Sequence, residues 1–447
     1  MSGSREALER LAAAYGVSTS YSDGLGVRRV ASDEALVHVL SRLGADLEGP
    51  EGAAEAVRVQ QASQRRRVVE PVTVLRDGQA RQLLVRAKAG VSGSYALSVI
   101  REDGGRQQTE GRFQEAAIVS RHEVDGDVLE TRALALPEAL PHGYHDVSLD
   151  GPEGHHRARL ITAPREAYRG PASRSFGVFC PTYALRTERS AGIGDLTDLR
   201  HLLERVRGQG GSLVGTLPLL ASFLDEPLDP SPYAPVSRLF WNELYLDPER
   251  LPELPSCAEA LDLLRGAARA RRLERLEAAE WVDYAAVMAE KRPVLEALAR
   301  QAFVDGEPPE LTAYAEARPR LRDYARFRAA VESHPPTFHR WPERMKQGQL
   351  TADDFDPERY RYHLYVQWRT DQQLAEVNVA GGRGESGLYL DMPLGVHPDG
   401  FDAWRERGSF IPDTSAGAPP DDFFTKGQSW GFWPLHPEGI RRDGYDY

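Results

Sequence analysis

Residues 176–247 read FGVFCPTYALRTERSAGIGDLTDLRHLLERVRGQGGSLVGTLPLLASFLDEPLDPSPYAPVSRLFWNELYLD. GVFCPTYAL supplies a first strand and its loop, residues 198–206 a helix, and SLVGTLPLL a second strand. A loop rich in Pro and Ser follows. Strand, helix and strand in this order predict a βαβ unit with an elaborated second loop. Downstream, a long and mostly helical insertion is expected over about 256–379. GLYLDMPLGV (387–396) then reads as a third strand. Alternation of strand and helix implies a parallel sheet.

Upstream the pattern differs. Residues 5–67 read as helices. Leu8, Leu11, Ala12 and Tyr15 share one face, and Gly16 stops the first helix. Ser32 is a candidate N-cap for a second, with Leu36, Val39, Leu40 and Leu43 inward and Gly44 as its stop. From Val68 onward short alternating runs (VTVL, RQLLVRA, SYALSVI, YHDVSLD, RARLITA) are separated by turn pairs such as Asp77-Gly78. That spacing predicts a small antiparallel sandwich. The expected organisation is a helical segment over 1–67, a β-sandwich over 68–165, a linker around 168–173 and an α/β domain over 174–447.

The bulk properties exclude several classes. A length of 447 residues calls for more than one core. The formal net charge is -12, which argues against nucleic acid or an anionic membrane as a partner. No stretch approaches the roughly 18 apolar residues of a membrane span. The opening MSGSREALERLAAAYG carries charges within its apolar pattern, unlike a signal peptide. Cys180 and Cys257 are the only cysteines and form no metal or redox motif, so a cytoplasmic setting is expected.

In parallel α/β folds, ligands bind at loops beyond the C-terminal strand ends. Three such loops exist here. They contain Tyr183 to Asp195, then Ser231, Tyr233, Arg238 and Asn242, then Asp399 and Asp402. A later segment, GAPPDDFFTKGQSWG (417–431), adds Asp421, Phe423, Phe424, Gln428 and Trp430. Rings that stack on a sugar face, beside planar donors and acceptors, suit a carbohydrate. Aromatic side chains commonly belong to cores, so this reading rests on their clustering in loops. Asp391 and Asp399 are an alternative carboxylate pair for glycosidic chemistry. His155-His156 is no metal pair, because neighbours on a strand face opposite ways. Gly192-Ile193-Gly194 lacks the third glycine of a dinucleotide fingerprint.

These loops resemble the amylomaltase family, the MalQ-like 4-α-glucanotransferases of the α-amylase-like barrel group. The resemblance is carried by Tyr183-Ala184-Leu185-Arg186 with Gly192-Ile193-Gly194-Asp195, and by Ser231-Pro232-Tyr233 with Ser237-Arg238 and Asn242. It continues in Asp391-Met392-Pro393 with Asp399 and Trp404, and in Gly427-Gln428-Ser429-Trp430-Gly431. Trp281, Tyr284, Lys291 and Gln367-Trp368 fit the family's helical insertion. The resemblance implies a (β/α)8 TIM-type barrel, of which this chain holds the first three strands. It implies retaining double displacement on α-1,4-glucans and maltooligosaccharides, with an aspartate nucleophile, a glutamate acid/base and no cofactor or metal. The family's nucleophile follows strand four, in a segment resembling Arg-Ile-Asp-His, and no such run occurs here. The expected catalytic carboxylates therefore lie beyond Tyr447. Tyr233, Asn242, Asp399, Gln428 and Trp430 are the expected substrate-binding residues. The chain is expected to be the N-terminal part of such an enzyme and inactive alone, either truncated or one half of a split enzyme completed by a C-terminal chain. A non-catalytic α-glucan-binding protein is the alternative.

Overall fold

The computed structural model describes residues 2–137, 140–169, 174–224, 228–380 and 387–447. Residues 170–173 of the expected linker and 225–227 of the second strand-end loop lie outside the described residues. The chain divides into two compact units, Met1–Pro171 with Gly408–Tyr447, and Ala172–Arg407.

The first unit opens with helix α1 (Ser2–Ala14), the hairpin β1 (Ser20–Ser22) and β2 (Arg28–Val30), and helices α2 (Asp33–Arg42) and α3 (Ala53–Arg66). Ser32 caps α2, its side chain accepting the Ala35 N–H. Gly44 takes the left-handed conformation (φ 93°) that lets the chain leave that helix. Leu36, Leu40 and Leu43 are buried, but Val39, expected inward, is exposed at the edge of the stripe.

The sandwich follows. Its strands are β3 (Val72–Arg76), β4 (Gln82–Lys88), β5 (Ser94–Ile100), β6 (Arg106–Arg112), β7 (Ala117–Val124), β8 (Asp127–Ala135), β9 (Gly143–Gly151) and β10 (Gly154–Ala163). One sheet has the order β3-β10-β9-β5-β6 and the other β4-β8-β7. The first and last strands, β3 and β10, pair in parallel. No hairpin joins them, so nothing forces them antiparallel as the sequence reading expected. Leu83, Leu97, Phe113, Leu134, Val147 and Leu160 fill the space between the sheets. His155 turns to Asp150 and His156 to the Glu153 carbonyl, so the pair shares no ligand position.

The second unit contains a three-stranded parallel sheet of β11 (Gly177–Phe179), β12 (Leu213–Thr216) and β13 (Gly387–Leu390), in that order. Each strand is shorter than its apolar run. Pro181, Pro218 and Pro393 follow within a few residues, and proline cannot donate to a ladder. Asp391, read as lying within a strand, is thus the first loop residue after β13. Helix α4 (Leu196–Gly208) joins the first two strands. Between the second and third lie α5 (Ala258–Arg265), α6 (Ala267–Glu277), α7 (Tyr284–Ala302), α8 (Pro309–Glu316), α9 (Leu321–Val331), α10 (Glu343–Lys346) and α11 (Pro357–Ala380). Helix α12 (Phe401–Arg405) follows β13. Among the described residues no helix is long and apolar enough to cross a membrane.

The sheet's two faces differ. Val214 is fully buried on the face where α4 packs. On the other face Phe179, Gly215 and Tyr389 stand side by side in register. The Phe179 ring lies over Gly215, where a Cβ would come within 2.8 Å of it. Phe179 and Tyr389 are 60% and 67% exposed. A large apolar surface is thereby left open at the sheet.

The first unit also takes in the chain's end. Hairpin β14 (Gly417–Ala418) and β15 (Gln428–Ser429) and helix α13 (Pro437–Arg442) lie there. The Gly24 N–H bonds the Pro420 carbonyl at 2.8 Å. Glu70 bridges Arg86 and Arg441, and Arg67 bonds both Glu70 and Glu438. The sequence reading assigned 408–447 to the α/β domain. These contacts join it to the helices and sandwich within this unit, because a short hairpin and one helix have too little apolar face to form a core alone.

The core of the second unit is an aromatic cluster. Phe240 stacks on Tyr324 at 4.1 Å, and Phe401 meets Phe240, Tyr324, Phe327 and Trp404 at 5.5–5.9 Å. Phe401→Ala is expected to destabilise this unit by about 3–5 kcal/mol through lost burial and a residual cavity. Denaturant titration followed by tryptophan fluorescence measures it.

Candidate functional site

The three loops leaving β11, β12 and β13 start from one edge of the parallel sheet. Their backbones are tied to the strands. The Cys180 N–H bonds the Gly215 carbonyl at 2.9 Å, and the Asp391 N–H reaches the Thr216 carbonyl at 3.3 Å. Thr216 also links loops through its hydroxyl, which accepts the Thr182 N–H at 3.1 Å and pairs with the Thr182 hydroxyl at 2.9 Å. Further out, Tyr183 meets Tyr284 of α7 edge-on at 6.1 Å.

The second loop is long, partly buried and poor in regular structure, so its backbone needs partners. Helix α11 provides them through two glutamines. Gln367 accepts the Trp241 N–H at 2.8 Å and donates to the Trp241 carbonyl at 2.7 Å. Gln373 does the same at Asp247, at 2.9 and 2.8 Å. Asp402, at the start of α12, accepts the Ser237 hydroxyl at 2.5 Å and the Arg238 N–H at 2.8 Å. The buried Lys291 ammonium of α7 donates to the Leu244 carbonyl at 2.5 Å. Four side chains from three helices thus add to the backbone bonds that the loop makes within itself, such as the Ala221 N–H to the Phe240 carbonyl and the Asn242 N–H to the Leu219 carbonyl, both at 2.9 Å.

Beneath the first loop lies a buried charge cluster. Asp195 caps α4, accepting the Thr197 and Asp198 N–H groups, and Asp198 reciprocates at the Asp195 N–H. Asp247 takes Arg189 at 2.7 Å and the Thr197 hydroxyl at 2.6 Å. Three carboxylates therefore face two cations, Arg189 and Lys291. Asp195 is left under-compensated. Burial, partly opposed by Lys291 and reinforced by Asp247 and Asp198, pushes its carboxyl up to about 6. Burial likewise draws the Lys291 ammonium down.

The five expected contact residues fall in different surroundings. Tyr233 is half exposed, and its hydroxyl donates to Asp391 at 2.8 Å, joining the second loop to the third. That bond raises the phenol above its ordinary range. Asp399 lies in the third loop, where the Thr337 hydroxyl donates to it and His339 stands 3.7 Å away. Its own N–H bonds His397 Nδ1 at 3.0 Å. Asn242 does not present its side chain to solvent. It is buried, and its oxygen caps a short 3-10 turn by accepting the Leu244 N–H. Asn242 is a loop-shaping residue because that turn would otherwise leave a buried donor unmet. Gln428 and Trp430 belong to the first unit. The Trp430 indole donates to Gln428 at 3.3 Å and its ring stacks near Phe432 at 5.9 Å. Asp391 and Asp399 bond separate partners and form no pair through a shared group.

Sequence reasoning missed Gln373, Thr216, Thr337 and His339. Thr337 and His339 lie some sixty positions before Asp399 inside the insertion, and no spacing marks them. Gln373 is a polar residue on the buried face of a helix, a signal that becomes visible only once that face is known.

Residues 180–447 match a family model described as 4-alpha-glucanotransferase, and residues 68–164 one described as the MalQ N-terminal beta sandwich domain. A 4-alpha-glucanotransferase of Mycobacterium tuberculosis (strain ATCC 25618 / H37Rv) is 30% identical over 460 residues, covering 98% of this chain and 62% of that protein. The Haemophilus influenzae 4-alpha-glucanotransferase is 28% identical, covering 70% and 48%. The crystal structure of amylomaltase from Corynebacterium glutamicum superposes with a TM-score of 0.81 at 26% identity, covering 99% of this chain and 62% of that one. Amylomaltase from Streptococcus agalactiae in complex with acarbose shares the fold, with a TM-score of 0.50 at 23% identity, over 61% and 55%. The chain spans about 62% of the length of the mycobacterial relative.

Two outcomes are expected. Gln367→Ala strands the part-buried N–H and carbonyl of Trp241 and should cost about 2–6 kcal/mol, at about 1–3 kcal/mol per unmet group. Urea titration checks it. Asp195 binds its proton more tightly folded than unfolded, so this contribution is complete below about pH 4 and lost as pH rises through about 6. Asp195→Asn keeps the cap acceptor without the charge. Relative to the wild type it should gain about 2–3 kcal/mol between pH 4 and pH 7, measured from unfolding free energies at both.

Proposed function

Because the chain belongs to the 4-alpha-glucanotransferase family, we propose that it forms the glucan-holding N-terminal part of a 4-α-glucanotransferase. In this reading β11, β12 and β13 are the first three strands of a (β/α)8 barrel. Three observations support it. The strands are adjacent, parallel and in chain order. The helical insertion sits between the second and third. The exposed face bearing Phe179 and Tyr389 has the character of a barrel interior awaiting the remaining strands.

The reaction is a retaining double displacement, in which a carboxylate holds the glycosyl group before a glucan 4-hydroxyl accepts it. The nucleophile and acid/base come from sequence that follows these strands in the longer relatives. The residues present here bind and orient. Tyr233, fixed by Asp391, offers a ring and a hydroxyl to the sugar. Asp399 offers a carboxylate held by Thr337 and His339. Gln428 and Trp430 offer an amide and a ring. Asn242 shapes the second loop. The sequence that follows these strands in the longer relatives would cover Phe179 and Tyr389.

The carrying observation is the family match over 180–447, the span that contains all three strand-end loops. The test is incubation of this chain with maltotriose. No glucose release is expected from the isolated polypeptide. Glucose release that disappears in Asp399→Asn would overturn the assignment of chemistry to other sequence and locate it within these loops.

A further inference from the structure

A cavity of about 730 Å³ opens in the helical insertion of the second unit, away from the strand-end loops. It lies within the range of small-ligand sites, about 300–1,000 Å³. Its walls come from the second half of α7, the end of α9 and the first turns of α11. Arg292, Phe303, Glu332, Asp356, Arg361 and Tyr362 are among its lining residues. The strand-end mechanism uses none of them.

We propose that this cavity is a second glucan-binding site, which takes a neutral oligosaccharide. The inference rests on the glucanotransferase reading for the identity of the sugar, while the polyol chemistry follows from the lining itself.

Charge is the first argument. Glu332 is buried and accepts from Arg292 at 2.6 Å and Arg359 at 2.7 Å, with His363 at 2.7 Å. Burial alone would raise its carboxyl, yet His363 and Arg292 hold it well below the usual range. The strongest charges at the site are thus matched by one another. Arg292 also bonds Glu296 and lies 4.6 Å above the Tyr362 ring. Asp356 and Glu358 add carboxylates to the wall, so an anionic ligand would meet like charge.

Hydrogen-bonding capacity is the second. The Asp356 carboxylate caps α11 through one oxygen, accepting the Glu358 N–H at 2.7 Å, and its other oxygen has no partner among the described residues. Arg361 has no carboxylate partner among them and touches only the Phe303 ring, at 5.7 Å. Tyr362 lines the wall beneath the Arg292 guanidinium, with its hydroxyl buried out of reach of a ligand. A planar cation and a carboxylate oxygen beside an aromatic ring at one cavity suit vicinal hydroxyls and a pyranose face.

A site separate from the strand-end loops would let one long glucan bind twice, raising its local concentration for the second contact. The experiment is calorimetric titration of the whole chain with maltoheptaose, in the wild type, in Arg361→Ala with Phe303→Ala, and in Tyr233→Ala. Circular dichroism checks the fold of each, and the milder Arg361→Gln serves if the double variant unfolds. Two sites are expected in the wild type. The cavity variants should weaken one about tenfold or more, the cost of losing a charged hydrogen bond, while Tyr233→Ala weakens the other. Binding that survives Tyr233→Ala but not the cavity variants sustains this site and sinks the strand-end reading. Binding lost in Tyr233→Ala and untouched by the cavity variants overturns the cavity site alone. No binding of maltoheptaose by the wild type, or displacement by glucose 1-phosphate at the cavity alone, overturns it as well.

Discussion

The buried backbone of the loop after β12 must find hydrogen-bond partners, and the arrangement of the second unit follows from that need. Part of this requirement is met within the loop, where Leu220 bridges Trp241 and Phe223 bridges Asp229, and the remainder is met from outside it. Gln367 and Gln373 of α11, Asp402 of α12 and Lys291 of α7 meet that remainder with side chains. Three helices far apart in sequence are thereby fixed to one segment. That segment carries Tyr233, whose reach to Asp391 connects it to the next loop. The helical insertion thus serves as the scaffold of the strand-end surface, which explains why so long an excursion interrupts a three-stranded sheet.

Electrostatics place a second constraint on the same surface. The cluster of Asp195, Asp198 and Asp247 is held by Arg189 and Lys291, one cation short. Such a cluster fixes the first loop through directional bonds, while its surplus charge leaves Asp195 strained by burial. Its effect on the loop is geometric: Arg189 and Thr197 both converge on Asp247, so the first and second loops share one anchor. Shape and charge therefore reinforce each other, and a change at Asp247 would be felt in both loops.

The sheet face bearing Phe179 and Tyr389 contrasts with this well-satisfied side. On one face Val214 is fully buried, and on the other two rings stand in solvent. An exposed apolar face of this kind marks a surface suited to further contact. The first unit shows the opposite economy. There the chain's last forty or so residues gain their stability from ion pairs and backbone bonds to the helices and sandwich, including Glu70 to Arg441 and Gly24 to Pro420.

Much was legible in the residues alone. Helix starts and stops at Ser32 and Gly44, the sandwich runs, the three parallel strands and the helical insertion all follow from local periodicity and turn chemistry, which the chain carries within a few residues. The strand-end loops followed from strand order, and Tyr233 and Asp399 were singled out within them. Other features depended on what meets in space. Local sequence cannot show that Gln373 faces Asp247, that Thr337 bonds Asp399, or that the Asn242 side chain turns inward to cap. Nor can it show that residues 408–447 group with the N-terminal helices and sandwich, since a short hairpin carries no mark of the core it joins. The sequence by itself determined the elements and the family likeness, because those depend on neighbours along the chain. Only the tertiary structure decided which polar side chains support the loops and which stay exposed, because burial and hydrogen-bond partnership belong to pairs of residues that folding brings together.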